Sequence, residues 1–316
     1  MRTAQLGLTG MELSRIGFGA WAVGGGDYQF GWGAQSDSDS VAAIHRALEL
    51  GVNWIDTAAV YGLGRSERVV GAALEGVEPR PYVFTKASRV VDAQGKIGGN
   101  LRRDSIRREL EASLERLRVD VLDLYQIHQP IPDEDIEEGW ATLASLKDEG
   151  LVRHIGVSNF SVEQLQRIQT IAPVETLQPP YSLLARQIED ALLPFCRRHR
   201  IGVIAYSPMA SGLLTGAMTA ERVAQLPADD WRSRDARFHE PQLTRNLELA
   251  ARLRGVGRRH EASAGAVAVA WVLQQPGVDG AIVGFRDPGQ VEDILGAASI
   301  ELDPAEIAEI ESVGTH

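Results

Sequence analysis

Four side chains of this sequence could together move a proton on a carbonyl oxygen: Asp56, Tyr61, Lys86 and His128. A phenol beside an ammonium ion has its pKa lowered from about 10, because the cation favours phenolate. It then gives or takes a proton nearer neutral pH. An Asp beside the Lys keeps that Lys charged and oriented, and a nearby His orients a carbonyl oxygen or assists the transfer. Tyr61 follows Asp56 closely, in Asp56-Thr57-Ala58-Ala59-Val60-Tyr61-Gly62, so both can reach one site. Taken singly, each has a plainer account. Lys86 could be a snorkelling surface lysine, Tyr61 a core aromatic and His128 a satisfied histidine at a loop start. The combination carries the chemical reading.

The elements that must position these groups are short apolar runs separated by amphipathic segments. Eight runs stand out, at 15–21, 52–57, 82–86, 122–128, 154–158, 175–178, 202–206 and 280–284. Each has the β-branched or aromatic character of a strand buried on both faces. Helical stripes fill the gaps: Val41, Ile44, His45 and Leu48; Ile106, Leu110, Leu114 and Leu117; Ile136, Trp140, Leu143 and Leu146. Ser161 with Gln164 reads as a capping box, and Pro288 suits the first turn of a helix.

This alternation predicts an α/β fold, a (β/α)8 TIM barrel, with a doubly wound open sheet as the rival. Residues 1–14 suggest a hairpin across the barrel bottom. The long, weakly periodic stretch 208–242 is read as a loop over the cofactor side. No linker divides the chain, which predicts one domain over 1–316. In a barrel, the loops after the strands build the active site. Asp56 closes the second run, Lys86 the third and His128 the fourth. Ser158 and Asn159 follow the fifth, Gln178 the sixth, Tyr206 and Ser207 the seventh. A barrel would bring them all to one mouth.

Composition narrows the function. The 316 residues hold 32 Lys and Arg against 43 Asp and Glu, a net charge of −11. General nucleic-acid binding needs a basic footprint and is excluded, so an anionic ligand must be held by a local positive site. One cysteine, Cys196, excludes an intramolecular disulfide and paired-Cys zinc sites. No HExxH pattern appears, and no metal is expected. The N-terminal residues lack the apolar core of a signal peptide. The longest apolar stretch, 264–273, is too short for a membrane span. Together these predict a cytoplasmic protein with no membrane partner.

The motifs carry a family likeness. GFGAWAVGGG at 17–26, GVNWIDTAAVYGLGRSE at 51–67, VFTK at 83–86, LDLYQIHQP at 122–130, HIGVSNF at 154–160, YSPMASGLLTG at 206–216 and GAIVGFRDPGQVEDIL at 280–295 resemble the aldo-keto reductases. The wording is most similar to the bacterial branch that includes potassium-channel β subunits. The resemblance implies a barrel that reduces an aldehyde or ketone with NADPH, NAD being less favoured. It makes Asp56, Tyr61, Lys86 and His128 a catalytic tetrad, with Tyr61 the general acid and Lys86, paired with Asp56, lowering its pKa.

It further implies that Ser158, Asn159 and Gln178 hold the nicotinamide carboxamide and Tyr206 stacks on the ring. Ser207, Met209, Gly212 and Leu214 would line the pyrophosphate. Gly284, Arg286, Gln290 and Asp293 would bind the adenosine end, Arg286 beside a helix N-terminus taking the 2′-phosphate. Ile294 stands where the family often has an Asn that contacts adenine. Trp21 would sit at the meeting of cofactor and substrate. Tyr28, Trp32, Gln129 and the 208–242 segment complete the candidate wall around a small carbonyl substrate.

Three rival readings are weaker. Residues 17–22 match a loose G-x-G-x-x-A, but the glycines after it do not open a helix. A Schiff-base aldolase wants a neutral lysine, whereas Asp56 would keep Lys86 charged. A barrel that binds NADPH and regulates a partner with little turnover would keep the same residues. Nothing in the sequence specifies an interface between copies.

Overall fold

The computed structural model describes residues 1–26, 28–92 and 94–312. Strands β1 (Thr3–Gln5) and β2 (Glu12–Ser14) pair as an antiparallel hairpin. Then come β3 (Ile16–Gly19), β4 (Trp54–Asp56), β5 (Tyr82–Ala87) and β8 (Leu122–Ile127), with a second small hairpin, β6 (Arg89–Val91) and β7 (Ile97–Gly99), between the last two. β9 (Val152–Ser158), β10 (Thr176–Gln178), β11 (Gly202–Tyr206) and β12 (Gly280–Gly284) follow. The eight apolar runs are the eight strands of one closed parallel barrel, ordered β3-β4-β5-β8-β9-β10-β11-β12 and back to β3. The fold is a (β/α)8 barrel.

The surrounding helices are α1 (Asp37–Glu49), α2 (Arg65–Ala73), α3 (Arg103–Leu117), α4 (Ile136–Asp148), α5 (Val162–Gln169) and α6 (Leu192–His199). After them come α7 (Ala220–Ala224), α8 (Gln242–Arg259), α9 (Ala264–Leu273), α10 (Pro288–Leu295) and α11 (Pro304–Glu311). Ser161 and Gln164 form the capping box of α5, and Pro288 occupies the first turn of α10. One stripe is rotated from expectation. α1 buries Ser40, Ala43, Ile44 and Ala47, while His45 turns outward and its Nε2 meets the Ala73 carbonyl at 2.7 Å. The contact satisfies an end group of α2, which local periodicity does not foresee. Among the described residues no helix is long and apolar enough to cross a membrane.

The lower barrel interior is plugged by Trp54, Phe84, Leu124, Ile204 and Ile282, against Leu6, Met11 and Leu13 from the N-terminal hairpin. The hairpin therefore closes the bottom, with the Trp54 indole donating to the Ser14 carbonyl at 2.8 Å. Gly17 has no alternative: a Cβ there would overlap the Trp54 ring. Burial of each such large side chain contributes about 1.5–3 kcal/mol. With the bottom filled, the open end lies at the C-terminal ends of the strands.

The segment 208–242 is a folded cover rather than a free loop. It contains short turns at Ala210–Thr215, Trp231–Arg234 and Ala236–Phe238 together with α7. Phe238 is fully buried. Asp230 pairs with Arg232 at 2.6 Å, and the Trp231 N–H donates to the Gly31 carbonyl at 3.1 Å. Tight turns lack a 3.6-residue period, so periodicity alone found nothing there.

Candidate active site

The strand ends deliver the polar groups to one mouth. Asp56 ends β4 and Lys86 lies one residue before the end of β5. The Lys86 ammonium donates to Asp56 Oδ1 at 2.6 Å, to the Thr57 carbonyl at 2.8 Å and to the Tyr61 oxygen at 3.4 Å. The His128 ring meets the Tyr61 ring edge-on, centroids 5.6 Å apart. Tyr61 is set by two backbone turns in contact. Gly62, at φ +57°, lies against Gly24, where a Cβ would overlap the Gly24 carbonyl.

Electrostatics correct one expectation. Tyr61 was expected to be acidified by Lys86. Burial instead pushes its pKa well up, and the Asp56 carboxylate adds to this. The Lys86 charge is directed at Asp56, so the phenol gains less from it than it loses to desolvation. Burial also lowers the Lys86 pKa, against the opposing pull of Asp56. Burial, reinforced by Lys86 and Arg89, holds His128 well below the usual histidine value. Its Nδ1 is buried with no partner among the described residues. The site thus holds a protonated phenol and a neutral imidazole near pH 7.

A cavity of about 480 Å³ opens here and runs away from the tetrad. Asp56, Tyr61 and His128 line one end, whereas the fully buried Lys86 reaches it only through Asp56 and Tyr61. Ser158, Asn159, Gln178 and Tyr206 line its middle. Gln178 donates to Asp56 Oδ2 at 2.8 Å, and Tyr206 donates to Asn159 Oδ1 at 2.9 Å. Asn159 in turn donates to the His128 carbonyl at 2.9 Å. Ser207, Met209, Gly212, Gly284, Arg286, Gln290, Asp293 and Ile294 line the continuation. Leu214 does not: its side chain is fully buried in the core, because the turn at Ala210–Thr215 points it inward.

The far end also departs from expectation in detail. The first turn of α10 is already capped by Asp287, which accepts from the Gln290 N–H at 3.0 Å. Arg286 has no carboxylate partner among the described residues. It donates to Gln35 Oε1 at 2.7 Å, to the Trp32 carbonyl at 3.4 Å and to the Ala34 carbonyl. Arg222 and Arg232 line the same stretch and repel Arg286.

On the other side of the mouth stand Trp21, Tyr28, Trp32 and Gln129. Trp21 stacks on Trp231 of the cover at 5.3 Å and on Tyr61 at 6.1 Å. Sequence reasoning missed Phe30 and Arg89, which also line the cavity, and covered Arg222 and Arg232 only through the 208–242 segment. It also missed Gln126, a fully buried amide 3.5 Å from Asp56 Oδ2. A polar residue inside the apolar run 122–128 was the available signal for Gln126. Position just after Lys86 was the signal for Arg89.

The profile of the aldo/keto reductase family matches residues 15–315. The chain belongs to this family. This aldo/keto reductase is 40% identical over 286 residues to the aldo-keto reductase YhdN of Bacillus subtilis, covering 90% of this chain and 85% of that protein. It is 34% identical to a protein of Escherichia coli named NADH-specific methylglyoxal reductase, covering 97% and 96% of the two chains. The solved glycerol dehydrogenase of Gluconobacter oxydans matches at a TM-score of 0.88 and 38% identity, covering 98% of this chain and 94% of that one. The reductase is therefore an oxidoreductase of a family that uses nicotinamide cofactors. A cavity lined by amides, phenols and guanidinium groups suits such a dinucleotide.

Proposed function

We propose that this aldo/keto reductase reduces an aldehyde or ketone to the alcohol with NADPH, using Tyr61 as general acid. The supporting observation is that Tyr61 and His128, with Lys86 3.4 Å from the phenol oxygen, share one cavity with Arg286.

Ser158, Asn159, Gln178 and Tyr206 would hold the nicotinamide, and Ser207, Met209, Gly212, Gly284, Arg286, Gln290 and Asp293 the rest of the cofactor, which when bound supplies the hydride. Tyr61 donates its proton to the carbonyl oxygen as negative charge develops there. Its high pKa keeps that proton in place at neutral pH. Lys86, 3.4 Å from the phenol oxygen, stabilises the phenolate left behind. Asp56 holds the ammonium in line. Neutral His128 orients the carbonyl oxygen, and Trp21 with the cover excludes water. Arg286, free of any carboxylate partner among the described residues, is the reason for NADPH over NADH.

The test follows nicotinamide absorbance over an aldehyde and ketone panel with both cofactors. Tyr61→Phe should lower kcat by about 10²–10⁴-fold while cofactor binding persists. Unchanged turnover in that variant would remove the general-acid role.

A further inference from the structure

One cation at the substrate end has no partner. Arg89 opens β6, directly after β5 and Lys86, and lines the same cavity as Tyr61 and His128. Its guanidinium lies 5.8 Å from the Phe30 ring centre. Among the described residues it makes no ion pair and no hydrogen bond, although the chain carries 43 carboxylates. Supply is not what leaves it unpaired. Burial lowers its pKa, so its half-buried charge stands uncompensated, a costly arrangement unless something else meets it.

The backbone is strained to place it. Ser88, fully buried, adopts φ +81°. Its N–H donates to Glu109 at 3.0 Å. A non-glycine residue held there costs about 1–3 kcal/mol, and such strain clusters at ligand sites. Two other donors that line the cavity also lack acceptors among the described residues. Tyr28 Oη and Trp32 Nε1 line the cavity region, buried and without hydrogen-bond partners among the described residues. The Trp21 indole and the Gly62 N–H, which face the Tyr28 oxygen, are themselves donors. The Arg89 guanidinium and the Tyr28 phenol thus both present protons to the cavity with no acceptor among the described residues.

Arg89 is not placed for the cofactor phosphates. β5 stands four strands from β11 in the barrel order, across the mouth from the segment after Tyr206. Arg89 is near enough to His128 to depress its pKa, which puts its charge on the side of the reacting carbonyl.

We propose that Arg89, with Tyr28, anchors an anionic oxygen group of the substrate, so that the preferred substrates are aldehydes or ketones carrying a carboxylate or phosphate. The proposal rests on the reductase reading of the same site. A guanidinium fork matches either group with paired N–H donors.

The test compares kcat/KM for succinate semialdehyde with its methyl ester, and for glyceraldehyde 3-phosphate with glyceraldehyde. The two pairs separate carboxylate from phosphate. In the wild type at least one anionic member should be favoured. Arg89→Gln should lower that anionic-to-neutral ratio about 10–100-fold, mainly through KM, and Arg89→Lys should restore part of it. A wild-type preference for both neutral members, or a ratio unmoved by Arg89→Gln, overturns the proposal. If no carbonyl is turned over at all, the reductase reading fails. Calorimetric binding of 4-hydroxybutanoate and of glycerol 3-phosphate, in the presence of the oxidised cofactor, then decides the anchor alone. Binding lost in Arg89→Gln supports it, and binding absent from the wild type or equal in both overturns it.

Discussion

Lys86 and Asp56 form an ion pair at 2.6 Å with side chains 0% and 3% exposed. Removing two charges from water offsets most of their attraction, so such a pair is weak evidence for stability. What the pair secures is position. Asp56 Oδ1 and the Thr57 carbonyl hold the ammonium 3.4 Å from the Tyr61 oxygen, and Gln178 occupies the second Asp56 oxygen.

Lys86→Met should cost about 3–5 kcal/mol in chemical denaturation, because it leaves a buried carboxylate alone. Adding Asp56→Leu should recover much of that stability, yet no activity. Recovery of activity in the double variant would show that the pair serves only the fold.

The pH profile follows from the direction of two shifts. Tyr61 is raised, so the phenol stays protonated and reduction should be level from about pH 6 to about pH 9. His128 is lowered, so no inflection should appear near the ordinary histidine value. Alcohol oxidation needs the phenolate as base and should climb with pH over the same range. A reduction rate that drops through pH 7 would contradict the assigned protonation states.

Arg286→Ala should raise the KM for NADPH about 10-fold or more and the KM for NADH far less, from the loss of one charged contact. Equal effects on both cofactors would remove the 2′-phosphate role. Initial rates with each cofactor decide it.

Glu109 is held at about 7, chiefly by burial, against hydrogen bonds from Ser105 and Ser88. Its unfolded value is about 4.3. Between these pH values the unfolded chain has released the proton and the folded chain has not. Stability should therefore fall as pH rises from about 4.3 to 7, by roughly 1.4 kcal/mol per unit at most, then level off. Glu109→Gln should gain on the wild type over that window in urea titrations. Parallel curves for the two proteins would refute the shift.

The barrel was legible because each strand is a local apolar run and several of the helices are local stripes. Asp56, His128, Ser158 and Gln178 were legible because each stands at or just past a strand end. Leu214 was misplaced because a tight turn, not a period, directs its side chain into the core. Arg89 and Gln126 drew no notice because one arginine or one amide resembles any other until its surroundings are known.

From sequence alone came the strands, the family motifs and the four residues Asp56, Tyr61, Lys86 and His128 that meet at the mouth, since all of these are written in short segments. Tertiary structure alone decided the charge states and the partners. Tyr61 is made less acidic by burial and by Asp56 rather than more acidic by Lys86. Arg286 is held by Gln35, 251 residues away. Among the described residues Arg89 is left without an acceptor while most other arginines find one. Burial and Coulomb energy sum over neighbours that only the closed barrel brings together, and no spacing along the chain contains that sum.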